Sequence, residues 1–373
     1  MIKPIITAAL LSGSMLMAQQ CSFQDYQGTE GFDKIAHSKN YKDGKFQNST
    51  PTRMMAKGKF WTMVKKYITG GQKPRRPSNT LPVVPLTGGD FSNPTSEDLR
   101  LVWLGHSSVL VEFEGKRYLI DPMFSERASF VQWAGPKRFQ PAPLIAENVP
   151  ELDGIIISHD HYDHLDRGTI EHFTNGKVPF YVPLGVGKYL VSWGIDSSRI
   201  VECDWWDEVT DDKVKLIATP ARHFSGRGLF DRDETLWCSW VLAGEKSRIY
   251  FSGDNGLSPA FEEIGRDYGP FDITFLEIGA YDETWPEIHL NPEEAVQAQI
   301  MLKGKRLIPI HWGTFDLGLH NWYDPVERLV QAAKSNNIVY SLPRQGEVIS
   351  LTHLEKDTDW WKEERLKEDH PDD

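Results

Sequence analysis

The chain has 373 residues, 40% hydrophobic and 25% charged, which is the composition of an ordinary folded protein and excludes collagen, coiled coil and wholesale disorder. No run of about 20 apolar residues occurs, so a multi-span membrane protein is excluded as well. A net charge of −12 is a poor starting field for nucleic acid, which is not expected as a partner, and three cysteines (Cys21, Cys203, Cys238) are too few for a disulfide framework.

In chain order, Met1-Ile2-Lys3 and the apolar stretch from Pro4 to Ala18 read as a secretory signal: one cation, then an apolar run too short to span a bilayer, ending in Ala. Residues 1–20 are assigned to this signal, with cleavage expected after Ala18 and lipidation at Cys21 as the alternative. The expected location is the bacterial periplasm or cell envelope, free or anchored to the membrane through the N-terminus. Residues 21–97 form an irregular lead-in broken by Pro51, Pro74, Pro77, Pro82, Pro85, Gly70-Gly71 and Gly88-Gly89, with one or two helices expected. Within it, Arg53, Lys57, Lys59, Lys65, Lys66, Lys73, Arg75 and Arg76 occur without an acidic residue between them. Phe60, Trp61, Met63, Val64 and Ile68 are interleaved, so the segment predicts a short basic aromatic helix. Such a helix suits either an anionic membrane surface or the flank of the main domain.

From about Leu99 short β-type runs succeed one another: Leu101–Leu104, Val109–Phe113, Arg117–Ile120, Gly154–Ile157, Val214–Ala218, Trp237–Leu242, Arg248–Phe251, Ile273–Leu276 and Arg306–Ile310. Helices are predicted from Asn291 to Leu302, where Asn caps and Pro292 starts the first turn, and from Asp324 to Ser335. Strands and helices along the whole stretch make residues 98–352 one α/β unit. Residues 353–373 read as an acidic, frayed tail.

The strand at Gly154–Ile157 runs into Ser158-His159-Asp160-His161-Tyr162-Asp163-His164. Imidazole and carboxylate are the ligands of catalytic zinc, and alternate residues of an extended segment share a face. His159 and His161 can therefore hold one ion while Asp163 and His164 turn toward a second. Further strand ends supply His223, Asp254 and His311: one bridging carboxylate and one more imidazole for each ion.

This set resembles the metallo-β-lactamase fold of binuclear metallohydrolases. The accessory motifs Trp103-Leu104-Gly105-His106, Asp121-Pro122, Gly135-Pro136-Lys137-Arg138-Phe139, Asp204-Trp205-Trp206, Ala260–Gly265, Ile278-Gly279-Ala280-Tyr281, His289, Pro292-Glu293-Glu294-Ala295 and Ile310–Phe315 are similar to those of the N-acylphosphatidylethanolamine-hydrolysing phospholipase D group, over residues 98–350.

The resemblance implies a four-layer αββα sandwich and two zinc ions per chain. One would be held by His159, His161 and His223, the other by Asp163, His164 and His311, with Asp254 bridging. It implies hydrolysis of a phospholipid phosphodiester by a hydroxide held between the metals. His289 would stabilise phosphate or protonate the leaving group, and His106 would play a supporting part. A peripheral membrane surface and a second copy of the chain are the implied partners. The same metal set also serves soluble phosphodiesters, lactones and amides, and a non-enzymatic envelope protein is the remaining alternative. His37, His172, His353 and His370 fall outside any motif and are expected at the surface.

Overall fold

The computed structural model describes residues 26–71, 73–91, 99–351 and 359–369. The segment read as a signal, Cys21, His353 and His370 lie outside the described residues. Two sheets carry the fold. Counting a small hairpin in the lead-in (β1, Tyr41–Lys42; β2, Lys45–Phe46), the first large sheet is built from β3 (Arg100–Gly105), β4 (Ser108–Phe113), β5 (Lys116–Ile120), β6 (Gly154–Ile156), β7 (Phe180–Pro183), β8 (Ile200–Cys203) and β15 (Val348–Ser350), ordered β15-β3-β4-β5-β6-β7-β8. The second, ordered β14-β13-β12-β11-β10-β9, comprises β9 (Glu208–Asp211), β10 (Val214–Pro220), β11 (Cys238–Ala243), β12 (Arg248–Phe251), β13 (Ile273–Glu277) and β14 (Leu307–Ile310). Strands β5 to β8 and β12 to β14 are parallel; the remaining pairs are antiparallel.

The pleat sorts the apolar side chains into two layers. Leu101, Trp103, Val109, Val111, Tyr118, Ile120 and Ile156 point inward against Ile217, Trp240, Phe251 and Phe275 of the other sheet. Their neighbours Val102, Leu104, Leu110, Leu119, Ile155 and Ile157 point the other way and are covered by Ile170, Val186 and Leu190. These last belong to or flank two short helices, Arg167–Ile170 and Gly187–Ser192. Burial on both faces is why these strands read as continuous apolar runs. The second sheet is covered by helices Ala260–Asp267, Pro292–Met301 and Asp324–Ser335 through Phe261, Ile264, Ala295, Val296 and Leu329. The result is helices, sheet, sheet, helices: a four-layer sandwich. Asn291 caps its helix in a reciprocal capping box with Glu294, with Pro292 in the first turn.

The lead-in is docked, and its charges do much of the docking. A helix at Phe60–Thr69 sits where the basic aromatic segment predicts one. Lys66 Nζ lies 2.7 Å from Asp282 and 3.0 Å from Glu283, Lys59 lies 2.8 Å from Glu283, and Arg75 and Arg76 both pair with Asp316. These cations are thus committed to the protein's own acidic loops. Phe60, Trp61 and Ile68 remain exposed.

One expectation is corrected. The C-terminal segment is not frayed over Trp360–Asp369, which is helical. Trp360 and Trp361 are buried, and Trp360 stacks on Trp312 with ring centroids 5.7 Å apart. A polar helix with two buried indoles is held by packing rather than by its own periodicity. Of the pair Trp205-Trp206, Trp205 is core, its Nε1 donating to the Trp237 carbonyl at 2.7 Å, while Trp206 stacks on Tyr268.

Candidate metal centre

All seven predicted residues meet at the ends of strands that share one edge of the sandwich. His159, His161, Asp163 and His164 follow β6, His223 follows β10, Asp254 follows β12 and His311 follows β14. Tight backbone geometry aims them. Gly253 has φ +54°, and a Cβ there would come within 2.8 Å of the Ser158 Cβ, so only glycine brings Asp254 in at this angle. His311 itself is left-handed, at φ 63°.

Asp254 stands between two groups. Its Oδ2 lies 3.8 Å from His159 Nε2 and 3.6 Å from His223 Nε2, and His161 Nδ1 is 2.9 and 3.3 Å from those same two nitrogens. Its Oδ1 lies 3.1 Å from both His164 Nε2 and His311 Nε2. Asp163 Oδ2 is 3.6 and 3.5 Å from these two nitrogens. The donor atoms of His159, His161, His223 and Asp254 all fall within 4.8 Å of one another, as do those of His106, Asp163, His164 and His311.

The residues fit divalent cations on two counts. His164 Nε2, His311 Nε2 and Asp254 Oδ1 are buried with no hydrogen-bond partner among the described residues, three orphaned donor atoms aimed at one spot. The charges also demand a cation. Burial pushes the Asp254 carboxyl up, yet His164 and His311 hold it well below the usual carboxylate range; Asp163 is held down in the same way, chiefly by His164. Burial pulls His159 and His223 well below the usual imidazole range, keeping them neutral as metal ligands must be. Burial pulls His164 and His311 down too, but Asp254 outweighs it, raising His164 and lifting His311 to about 10. The two buried carboxylates thus draw positive charge, carried here by His164 and His311 as imidazolium and replaceable by divalent ions when those rings bind as neutral ligands.

Outer contacts fix how each ring is presented. His164 Nδ1 lies 2.7 Å from Asp121 Oδ2, His159 Nδ1 2.9 Å from Ser158 Oγ, and His223 Nδ1 2.8 Å from the Ile288 carbonyl. Ser158 Oγ in turn donates to Asp121 at 2.6 Å. His106, read as a supporting residue, reaches Asp163 Oδ2 with its Nε2 at 2.8 Å. His37 and His172 are exposed.

His289 is close by, its Nδ1 3.8 Å from Asp254 Oδ2 and 2.8 Å from Glu277 Oε2. Glu277, at the end of β13, was not legible as a site residue. It is fully buried and accepts from the backbone of Asn255 and, at 3.4 Å, of Leu290. The available signal was a lone acid in the apolar run Phe275-Leu276-Glu277-Ile278, which periodicity treats as a strand end.

Over the metal residues opens a cavity of about 320 Å³ lined by Met54, Phe224, Trp285, Ile288 and Leu317, with Arg232 as its cation. Phe130, Trp133, Leu229 and Phe230 are exposed on two loops flanking Tyr162: Phe130 packs beside its ring, and Arg227, next to Gly228-Leu229-Phe230, lies over it.

Fold and site together define a metal-dependent hydrolase of the metallo-β-lactamase fold. The sequence model of the beta-lactamase superfamily domain matches residues 116–312, more than half of the chain, and the chain belongs to that family. An uncharacterised protein of Mycobacterium tuberculosis is 41% identical over 369 residues, covering 95% of this chain and 97% of the relative. The N-acyl-phosphatidylethanolamine-hydrolyzing phospholipase D 1 of Caenorhabditis elegans is 39% identical over 264 residues, covering 67% and 74%. The outer membrane protein RomA of Klebsiella pneumoniae is 43% identical over 102 residues, 27% of this chain and 76% of that protein. Among solved structures, a metallo hydrolase of the archaeon Ignicoccus hospitalis superposes with a TM-score of 0.54 at 20% identity, covering 69% of this chain and all of the other, which establishes the shared fold.

Proposed function

We propose that the protein is a zinc-dependent phosphodiesterase of phospholipase D type that cleaves N-acylphosphatidylethanolamine-like lipids at a membrane surface. The observation that carries this reading is Asp254, whose two oxygens face two separate histidine groups beneath an apolar cavity. His159, His161 and His223 would hold one zinc, and Asp163, His164 and His311 the other, with Asp254 between them. Two zinc ions supply Lewis acidity toward a phosphoryl oxygen and a hydroxide at neutral pH.

The chain's own residues do the rest. Arg232 places a cation at the mouth, where an anionic phosphodiester arrives. Met54, Phe224, Trp285, Ile288 and Leu317 exclude water and accept the apolar part of a lipid. Glu277 can accept the Nδ1–H of His289 at 2.8 Å and so would hold a doubly protonated ring, whose Nε2–H would be the proton given to the departing alcohol oxygen. The described residues contain no helix long and apolar enough to cross a membrane. Trp61, Phe130, Trp133, Leu229 and Phe230 are exposed apolar candidates for contact with a bilayer. The signal-like N-terminal sequence and the similarity to RomA support an envelope location.

The test is release of phosphatidic acid from vesicles containing N-acylphosphatidylethanolamine by the zinc-loaded protein, beside hydrolysis of the soluble diester bis(p-nitrophenyl) phosphate. The reading expects release from vesicles. Hydrolysis of the soluble diester alone would set the lipid substrate aside and leave a phosphodiesterase.

A further inference from the structure

One guanidinium closes the loop that carries three of the metal residues. Arg227 Nη1 donates to the carbonyl of Asp160 at 2.6 Å and to that of Leu165 at 2.8 Å. Between those two carbonyls lie His161, Asp163 and His164. Tyr162, in the same stretch, returns the contact: its hydroxyl donates to the Arg227 carbonyl at 2.6 Å, and the guanidinium carbon lies 4.1 Å from its ring centroid. Asp160 adds a further tie, its Oδ1 accepting from the Gly226 backbone at 2.8 Å. Trp193 and Tyr189 complete the surround, their ring centroids 5.2 and 5.4 Å from the guanidinium carbon. Asp231, the acid of the same turn, is committed elsewhere: its carboxylate accepts from the backbone N–H groups of Arg227 and Gly228 at 3.1 and 2.8 Å.

Resting on the binuclear reading above, we infer that Arg227 is a positioning residue for the reaction: it fixes the two ends of the ligand loop and their register against the segment that carries His223. The two N–H groups of one Nη1 bridge the two carbonyls, so the span of the loop is set by a single rigid group. His161 and His223 face the same ion from separate loops, with His161 Nδ1 3.3 Å from His223 Nε2, and Arg227 lies four residues after His223. The clasp therefore runs between the two loops whose rings have to meet. His161 depends on it most. The rings of His159, His164 and His223 are set by contacts at Nδ1, whereas His161 turns Nδ1 itself toward the site, so its aim follows the loop backbone. Without the guanidinium the Asp160 and Leu165 carbonyls lose their shared donor, and the loop is free to open. A shift of about 1 Å in reacting groups costs on the order of 100-fold in rate.

The experiment compares the full chain with Arg227→Ala and Arg227→Lys. Lysine keeps the charge but not the planar group that fits between two carbonyls and a ring. Three readings are taken on folded protein: zinc affinity by competition with a chelator, the visible absorption of the cobalt-substituted protein, which follows ligand geometry, and kcat and KM for bis(p-nitrophenyl) phosphate at saturating zinc. Zinc affinity is expected to fall about 10–100-fold in Arg227→Ala, with kcat lower by about tenfold or more and KM little changed. The cobalt spectrum is expected to change in both variants, with Arg227→Lys between the wild type and Arg227→Ala in affinity and turnover. An arginine that only holds the fold together would lower the urea midpoint and leave zinc affinity, spectrum and kcat as in the wild type; that result overturns the inference and leaves the binuclear reading in place. Should Arg227→Ala fail to fold, Arg227→Lys decides: wild-type affinity and a wild-type cobalt spectrum overturn the inference. A wild type that binds no zinc overturns both.

Discussion

Asp121 Oδ2 and His164 Nδ1 are 2.7 Å apart, both fully buried, so that the imidazole turns its Nε2 toward Asp254. The same carboxylate accepts from the Ser158 hydroxyl and backbone, and Ser158 Oγ also touches His159 Nδ1. One acid therefore sets a ring in each of the two histidine groups. Asp121→Asn replaces an acceptor oxygen with a donor nitrogen, and zinc affinity is expected to fall about 10–100-fold. Competition with a chelator of known affinity measures this; an unchanged affinity would show that the two rings hold their orientation without it.

His289 gives a different signature. His289 forms a candidate donor group with Asp254, Glu277 and His311 but belongs to neither set assigned to zinc, so His289→Gln is expected to keep both zinc ions while kcat falls roughly 10²–10⁴-fold. Glu277→Gln should follow it in kcat by about tenfold or more, also with zinc retained. Loss of zinc in His289→Gln would instead make that ring a ligand.

Far from the metals, Glu202 anchors the lead-in. Its carboxylate accepts the Tyr26 hydroxyl at 3.0 Å and the backbone of Gly185 and Gly187 at 2.7 and 3.0 Å. Burial is the main reason its pKa stands at about 7 instead of 4.5. A raised carboxyl binds its proton more tightly in the folded state, so folding loses stability as pH climbs from 4.5 to 7 and no more beyond. The gap corresponds to about 3 kcal/mol at full ionisation. Glu202→Gln should lack this dependence, gaining on the wild type between pH 4.5 and 8 in urea unfolding. Parallel stability profiles for the two proteins would contradict it.

Trp103, Trp312 and Trp360 form a stack, with centroids 5.4 and 5.7 Å apart, that joins β3, the residue after His311 and the C-terminal helix. Trp360 Nε1 also donates to the Leu342 carbonyl at 3.0 Å. Trp360→Ala is expected to cost about 3–5 kcal/mol in denaturant unfolding. A cost below about 1 kcal/mol would mean that the helix is only loosely applied.

What could be read from the chain divides along physical lines. The metal residues were legible because a strand end concentrates them: four of the seven lie between His159 and His164, and His223, Asp254 and His311 repeat the pattern of an apolar run ending in a ligand. Most inner strands were legible because burial on both faces makes them continuous apolar runs, but the four-residue β7, Phe180–Pro183, between Pro179 and Gly185 was too short to be read. β8 and β9 escaped notice since edge strands carry residues such as Glu202, Glu208 and Asp211. The Glu277–His289 and Asp121–His164 contacts join residues 12 and 43 positions apart through loops at strand ends, which no local pattern encodes. The docking of the Phe60–Thr69 helix likewise rests on Lys59 and Lys66 meeting acids more than 200 positions away. The same composition fitted a membrane surface equally well.

The binuclear centre is tested most directly by zinc stoichiometry, measured by elemental analysis on the purified wild type and on Asp254→Asn. The arrangement of donors around Asp254 predicts about two zinc ions per chain in the wild type, and loss of at least one in the variant together with phosphodiesterase activity. A wild type that binds no zinc, or a variant that retains two ions and full activity, would contradict the assignment of Asp254 as the carboxylate between them.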